Sequence, residues 1–255
     1  MNKRIILAYV ITIHVFLGIV LAKSNFIKLV SNKLNLTTAQ TEIAEYFNQM
    51  LAYHSRMDGN VPNESVIFIG DSIIQGLAVT AVVNPSVNYG IGNDTTVGVL
   101  KRLPVYHSIE RASAVVIAIG INDMKYRSNE EILSNMKAIS NHLPKNIPII
   151  FSAVLPINEA RRTDWQGRNH TRIKEFNLQL KKWVEASDNI FFVDAGPQLS
   201  DEKGNLADQF HEGDGMHLNS RGNAIWIQQL TGAIRYARGT ISNLHGNSTV
   251  PLTLQ

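Results

Sequence analysis

Cysteine is absent from the 255-residue chain. Its absence excludes disulfide bonds, thiolate metal sites, a cysteine nucleophile and lipidation on cysteine. Neither sign of charge dominates, since the formal net charge is +3 and part of it lies near the amino terminus, in Lys3 and Arg4. No basic stripe with interleaved aromatic residues follows, so the composition argues against nucleic acid as a partner.

The amino-terminal segment has the pattern of a targeting or anchoring sequence. Met1 to Arg4 carries two positive charges, and the 18 residues from Ile5 to Ala22 are almost wholly apolar. This run is long for the core of a signal peptide and just long enough for a membrane span. We expect residues 1–23 to be a signal anchor or a signal peptide. Either one predicts a membrane-anchored or secreted protein whose remaining chain lies outside the cytoplasm, as in a bacterial periplasm.

The remaining length suffices for one α/β domain with a sizeable core. We expect a linker over residues 24–36, the domain over 37–238 and a polar, disordered tail over 239–255. Apolar residues at helical spacing over Thr37 to Met57 predict a helix that packs on the sheet and carries no chemistry. Apolar strands alternate with amphipathic helices after it, which predicts a parallel sheet. The predicted strands are Val66–Ile69, Pro85–Tyr89, Ala114–Ile119, Pro148–Leu155 and Ile190–Val193.

The first strand ends in an abrupt turn. Gly70 and Asp71 break the strand, and an apolar, helix-compatible run begins at Ser72. The turn therefore lies at the carboxyl edge of the sheet, where open α/β sheets bind ligands. Free backbone N–H groups at the start of the helix would favour the negative charge that attack by a serine creates. Ser72 is thus either a nucleophile or merely the N-cap of the helix, and this stretch alone does not decide.

Two later strand ends also deliver polar groups. A glycine-rich turn from Gly90 to Thr96 could present a backbone N–H to an oxyanion, or could cradle phosphate, although its spacing fits no phosphate-binding motif. Asn122 follows the strand that ends at Ile119, and its side-chain amide could donate to developing negative charge. The alternative for Asn122 is an ordinary turn asparagine.

Residues 208–221 contain two Asp-x-x-His pairs, Asp208 with His211 and Asp214 with His217. An aspartate three residues before a histidine can hold the imidazole in one tautomer and leave its other nitrogen free as a general base. Two histidines and several carboxylates could instead bind a metal, but no spacing here fits a known zinc motif. We therefore expect no metal site.

Taken in order, these blocks resemble the SGNH (GDSL-type) esterases and lipases. The blocks are Gly70-Asp71-Ser72, the Gly90 to Thr96 turn, Gly120-Ile121-Asn122-Asp123 and Asp214-Gly215-Met216-His217. Within that superfamily the run N-Y-G-I-G-N-D-T-T-V-G-V-L-K-R-L is most similar to the platelet-activating-factor acetylhydrolase catalytic-subunit branch. The resemblance implies a three-layer, flavodoxin-like α/β fold with a central five-stranded parallel sheet. It also implies short acyl esters as substrates and no cofactor.

The resemblance further implies the roles of individual residues. His217 would take the proton from Ser72, and Asp214 would orient His217. The family places its catalytic pair directly before the last helix, which favours Asp214 and His217 and leaves His211 as a neighbour in the cleft. The oxyanion hole would comprise the Ser72 backbone N–H, the N–H groups of the glycine turn, and the Asn122 side chain. The residues that would contribute from the turn are Gly92 and Asn93.

Asn93 departs from the family pattern, which has glycine directly before Asp94. A backbone N–H survives this replacement, and asparagine is among the residues that best tolerate positive φ. We therefore expect an active enzyme whose selectivity is altered by the Asn93 side chain.

The predicted function is that of a serine esterase that hydrolyses short-chain acyl esters, of a lipid or of an acetylated sugar. One alternative is an extracytoplasmic O-acyltransferase acting on envelope polysaccharide, because an acyl-enzyme resolved by a sugar needs no change in the triad. A lysophospholipase-like lipase is another. A catalytically silent binding domain is disfavoured, because every triad position is filled.

Overall fold

The computed structural model describes residues 3–23, 39–161 and 165–246. The chain divides into two compact units, Met1–Asn48 and Gln49–Gln255. The division lies after Asn48, whereas the sequence predicted a domain that begins at residue 37. The predicted linker over residues 24–36 lies outside the described residues.

Two helices precede the sheet in the sequence. Helix α1 extends from Lys3 to Lys23. In the part of the chain that the structure describes, no helix combines the length and apolar character needed to cross a membrane. Helix α2, from Ala39 to Asp58, agrees closely with the helix predicted over Thr37 to Met57. In the second unit, the last turns of α2 bury the side chains of His54 and Asp58.

Five parallel strands form one sheet in the order β2-β1-β3-β4-β5. This is the strand order of the flavodoxin-like fold, so the predicted fold is confirmed. Gly70 pairs with Gly90 on one side and with Ala118 on the other, which brings the carboxyl ends of three strands level. The strands are β1 Val66–Gly70, β2 Ser86–Gly90, β3 Ala114–Ala118, β4 Ile149–Ser152 and β5 Ile190–Val193.

Strand β1 is apolar throughout because both of its faces are covered. Ile67 and Ile69 contribute to the core on one face of the sheet, and Val66 and Phe68 contribute to the core on the other. All four side chains are closed to solvent. Each such burial stabilises the fold by about 1.5–3 kcal/mol, so the central strand holds the turn after Gly70 on a rigid support.

Helices cover both faces, and most of the longer ones begin at a side-chain cap. Thr95 accepts from the Gly98 N–H, Ser128 forms a capping box with Glu131, and Asn169 accepts from the N–H of the residue three positions on. The helices that follow β1 are α3 Ser72–Gln75, α4 Val79–Val82, α5 Thr96–Arg102, α6 Asn129–His142, α7 His170–Glu185, α8 Gly196–Leu199 and α9 Ser220–Gly246.

The final helix is longer than the sequence predicted. Asn219 caps it, since its Oδ1 accepts from the N–H groups of Arg221 and Gly222 at 3.0 and 3.1 Å. The helix continues to Gly246, so residues 239–246 are helical and not part of a disordered tail. A glycine inside a helix costs only about 1 kcal/mol, and extending an established helix is cheap. Residues 247–255 lie outside the described residues.

Candidate active site

Ser72 is the first residue of helix α3, one position after the N-cap. The cap is Asp71, whose Oδ1 accepts from the Ile73 N–H at 2.9 Å. The alternative in which Ser72 serves only as the cap is therefore wrong, and its hydroxyl is left for another partner. The preceding Gly70 has to be glycine, because a Cβ there would lie 2.2 Å from the carbonyl oxygen of Ala118.

Ser72, His217 and Asp214 form a hydrogen-bonded chain. Ser72 Oγ lies 2.9 Å from His217 Nε2, and His217 Nδ1 lies 2.5 Å from Asp214 Oδ2. The other oxygen of Asp214 accepts from the backbone N–H groups of Met216 and His217, at 2.9 and 3.0 Å. With Nδ1–H held by Asp214, the Nε2 lone pair is directed at the Ser72 hydroxyl, which is the arrangement that lets an imidazole act as general base.

The Asp214 carboxylate is kept in its charged form. Partial burial raises its pKa, but the hydrogen bonds from His217 and from the backbone N–H groups of Met216 and His217 outweigh burial, so the pKa lies below its usual value. The side chains of Asp214 and His217 are 36% and 43% exposed. A substrate and a water molecule can therefore reach the histidine.

The second Asp-x-x-His pair lies elsewhere. The imidazole of His211 is 1% exposed, and its hydrogen bonds are with Asp208, Gly213 and Gly215. The expectation that His211 lies in the cleft is wrong. The structure thus brings Asp214 and His217 to Ser72 and leaves Asp208 and His211 outside the hydrogen-bonded chain.

The glycine turn contributes differently from the prediction. The Gly92 N–H donates to Oε1 of Gln75, the last residue of α3, at 2.7 Å. This bond occupies the donor, so the expectation that Gly92 contributes to an oxyanion hole is wrong in this structure. Sequence reasoning overlooked Gln75, because nothing in the local pattern shows that a helix residue reaches a turn 17 positions away.

Three other donors remain at this edge of the sheet. Asn93 has a φ of 61°, in the left-handed region that its asparagine side chain was expected to tolerate. The Ser72 and Asn93 backbone N–H groups donate no hydrogen bond to any described residue. Asn122 is 6% exposed, and its Nδ2 donates one hydrogen to the Asp94 carbonyl at 3.1 Å, which leaves the second hydrogen for another acceptor.

A fully buried guanidinium joins these turns. Arg102 donates through Nε to Asp94 Oδ2 at 2.8 Å, through Nη2 to the Gly70 carbonyl at 3.0 Å, and through Nη1 to the Tyr89 carbonyl at 2.7 Å. It therefore connects the strand end before Ser72 with the turn that contains Asn93. Sequence reasoning missed this role, although an arginine among the apolar residues of a short helix was a signal.

Asp71 lies beside a small apolar cavity. Burial raises the pKa of Asp71 to about 7, although the Ile73 N–H and the Arg102 charge oppose the shift. The cavity measures about 30 Å³ and is lined mainly by apolar side chains, among them Ile73, Ile121 and Met216. These are neighbours in sequence of Ser72, Asn122 and His217. The space suffices for roughly two water-sized groups.

A metal centre has no evident place in this arrangement. Within residues 3–23, 39–161 and 165–246, no three His, Cys, Asp or Glu side chains come together as a metal site requires.

A flavodoxin-like sheet that carries a serine, a histidine and an aspartate at its carboxyl edge is the arrangement of a class of hydrolytic enzymes. The family model of the GDSL-like lipase/acylhydrolase family matches residues 68–225. The chain therefore belongs to the GDSL-like lipase/acylhydrolase family and is an ester hydrolase, as the motifs suggested. A comparison with curated proteins found no match.

Solved structures share this fold at low sequence identity. A protein from Streptococcus pneumonia, described as a candidate platelet activating factor, is 21% identical with a TM-score of 0.72, covering 80% of this chain and 99% of its own. A GDSL-like lipase from Bacteroides thetaiotaomicron is 20% identical with a TM-score of 0.63, covering 73% and 98%. A catalytic mutant of an acetylxylan esterase from Geobacillus stearothermophilus is 20% identical with a TM-score of 0.53, covering 67% and 94%.

Proposed function

We propose that this protein is a serine esterase that hydrolyses short-chain acyl esters, with Ser72 as nucleophile, His217 as general base and Asp214 as the residue that orients His217. The observation that carries the proposal is the continuous chain from Ser72 Oγ through His217 to Asp214, with bonds of 2.9 and 2.5 Å. This chain supplies a nucleophile, a base and an orienting carboxylate in hydrogen-bond contact, which is what acyl transfer through a covalent intermediate requires.

The reaction would proceed in two steps, acylation of Ser72 and hydrolysis of the acyl-enzyme. Ser72 Oγ bonds to the ester carbonyl carbon while its proton passes to His217 Nε2, and the carbonyl oxygen becomes an oxyanion. The carbon–oxygen bond to the alcohol then breaks, and the alcohol leaves with the proton from His217. Water, deprotonated by His217, attacks the acyl-enzyme, and the acid leaves as Ser72 recovers its proton.

The oxyanion would be held by the backbone N–H groups of Ser72 and Asn93 and by Asn122 Nδ2. The support is that each of these donors retains a hydrogen with no acceptor among the described residues, whereas the Gly92 N–H is bonded to Gln75. Loss of one such donor costs catalysis about 10²–10³-fold in related chemistry.

The cavity beside Asp71 supports a short acyl group. Its size is small, about 30 Å³, and its walls are mainly apolar. An acetyl group would place its methyl there while its carbonyl carbon faces Ser72. A longer acyl chain would extend beyond this cavity, so its small size favours short-chain over long-chain esters.

The deciding experiment is a substrate panel on the full chain. We expect p-nitrophenyl acetate to be hydrolysed faster than the butyrate, and the octanoate to be the poorest substrate. Acetylated xylo-oligosaccharides and an acetylated lipid would then distinguish the alcohol half of the ester. Acyl transfer to an added sugar, without release of acid in its absence, would instead identify an acyltransferase.

We also propose that residues 1–23 direct the domain out of the cytoplasm, as a signal anchor or a signal peptide. The support is the apolar run after two positive charges. Membrane retention after an alkaline wash would indicate an anchor, and a mature amino terminus at Lys23 would indicate cleavage. An unprocessed protein in the cytoplasmic fraction would contradict both.

A further inference from the structure

His211 is a buried histidine that the proposed reaction does not use. It begins the loop of residues 211–218 that carries Asp214 and His217, and its backbone pairs with Leu218 at the other end of that loop. The imidazole is 1% exposed. A polar ring that is buried so completely needs hydrogen-bond partners within the fold.

The partners of His211 define the proton position on its ring. Nδ1 accepts from two backbone donors, the Gly213 N–H at 2.9 Å and the Gly215 N–H at 3.2 Å. A nitrogen that accepts cannot carry a proton, so the neutral ring has its hydrogen on Nε2. Nε2 then donates to Asp208 Oδ1 at 3.2 Å. A proton on Nδ1 would face two N–H groups and would break both loop bonds.

The two glycines of this loop take backbone conformations that other residues rarely adopt. Gly213 and Gly215 have φ values of 97° and 76°, a region that costs glycine nothing and other residues much more. They flank Asp214 directly. Because the imidazole of His211 holds the N–H of both, one ring limits the motion of the residue that orients His217.

The loop is also held from outside. Asp208 accepts from Asn158 Nδ2 at 2.9 Å and from Arg161, while the Asn158 N–H donates to the Gly215 carbonyl at 2.8 Å. Asp208 therefore anchors His211 to the segment after β4. The Asp208 and His211 pair has the same spacing as Asp214 and His217. It bonds to the backbone of the loop that carries Asp214 and His217, and it does not bond to Ser72.

We propose that His211 is a positioning residue, whose unprotonated Nδ1 fixes Gly213 and Gly215 and thereby holds Asp214 against His217. The inference rests on the proposed function, since it assigns a consequence to the geometry of that triad. It implies that the acceptor at Nδ1 matters more than the donor at Nε2.

Matched variants distinguish the role of Nδ1 as an acceptor from the role of Nε2 as a donor. In His211→Asn, Oδ1 takes the place of Nδ1 and can accept from both glycines, but the link to Asp208 is lost. In His211→Gln, the amide reaches the position of Nε2 and can donate to Asp208, but the acceptor at Nδ1 is lost. We expect His211→Asn to keep kcat within about fivefold of the wild type, and His211→Gln and His211→Ala to lose about 100-fold with KM nearly unchanged.

A second readout does not depend on activity. In protein labelled with ¹⁵N-histidine, we expect nuclear magnetic resonance to show the hydrogen of His211 on Nε2. We also expect the hydrogen-bonded Nδ1 proton of His217 to give a low-field signal in the wild type and in His211→Asn. That proton signal should be lost in His211→Gln and His211→Ala while thermal unfolding remains cooperative. A wild type that hydrolyses no ester but shows these signals would contradict the proposed function and leave the positioning role supported.

Four results would each overturn the inference. Two are spectroscopic: a hydrogen on Nδ1 of His211, or a His217 signal that survives in all variants. The other two are kinetic: an active His211→Gln beside an inactive His211→Asn, or a loss that falls on KM and leaves kcat unchanged.

Discussion

Arg102 and Asp94 form an ion pair that solvent does not reach. Nε and Oδ2 are 2.8 Å apart, and the two side chains are 0% and 2% exposed. The same guanidinium also donates to the carbonyls of Gly70 and Tyr89. The pair therefore joins the turn that presents Ser72 to the turn that presents Asn93, and its integrity bears on stability and activity together.

The buried pair yields a stability prediction. Arg102→Met should lower the free energy of unfolding by about 3–5 kcal/mol, because the Asp94 charge is left buried without its partner. Lys181→Met is the control: Lys181 and Glu185 are 3.8 Å apart and more than half exposed, and losing such a pair costs at most about 1 kcal/mol. Urea denaturation measures both. Equal losses in the two variants would show that burial of the Arg102 pair is not what matters.

The nucleophile yields a prediction on labelling. Ser72→Ala should lower kcat for p-nitrophenyl acetate on the order of a millionfold and abolish labelling by a fluorophosphonate, because the atom that bonds to the acyl group is gone. His217→Ala should lose at least about three decades. Ser134→Ala, on an exposed position of α6, should match the wild type in both assays. Labelling of Ser72→Ala at the wild-type level would exclude Ser72 as the nucleophile.

The left-handed conformation of Asn93 yields a prediction on selectivity. Asn93→Gly should keep acetyl ester hydrolysis within about tenfold of the wild type, or roughly 1.4 kcal/mol of barrier, because the backbone N–H is retained. It should accept bulkier esters better, since the side chain is removed. Asn93→Ala should lower the free energy of unfolding by about 1 kcal/mol, because alanine tolerates a positive φ poorly.

Asn189 is the matched control for this position, since its φ is 59°. Asn189→Ala should lose at least as much stability, because the Asn189 side chain also donates to the Lys145 carbonyl at 2.9 Å. It should leave ester preference unchanged, because Asn189 precedes β5 and takes no part in the proposed site. If the wild-type protein hydrolyses no ester and the Asn93→Gly variant does, then Asn93 blocks the oxyanion hole and the prediction is contradicted.

The raised pKa of Asp71 yields a prediction on pH. Burial raises it from 3.8 to about 7, so the folded chain favours the neutral carboxyl. The Asp71 carboxyl makes its full contribution to stability below 3.8, its pKa in the unfolded chain. That contribution is lost as the pH rises through about 7, its pKa in the folded chain. Asp71→Asn keeps an N-cap acceptor and cannot ionise. Relative to the wild type, its free energy of unfolding should therefore rise between about pH 4 and about pH 7.

The free energy of unfolding of Asp71→Asn has to be compared with that of the wild type at each pH, because His54 changes stability with pH in the opposite direction. Burial, and secondly the Arg102 charge, lower the pKa of His54 from 6.5 to about 4, so the fold loses stability as the pH falls through that window. The two effects oppose each other in the wild type. A difference between Asp71→Asn and the wild type that is constant with pH would contradict the prediction for Asp71.

The local composition of the chain predicts both the sheet and the edge at which the chemistry lies. Two runs of apolar residues have the composition of buried parallel strands, and each leads into a turn that contains glycine. They are Val66 to Ile69 and Ala114 to Ala118. Parallel strands end at one edge, so the sequence predicts that Ser72 and Asn122 lie at the same edge of the sheet. These inferences depend on local composition and on a topological rule, which a single chain displays directly.

The tertiary structure alone decided which groups meet. The spacing of Asp208 and His211 equals that of Asp214 and His217, and only the folded loop shows that His217 reaches Ser72 across 145 positions while His211 supports the loop from within. In the same way, only the fold shows that Gln75 occupies the Gly92 N–H. Partners far apart in sequence are chosen by register, loop path and packing, and local spacing records none of these.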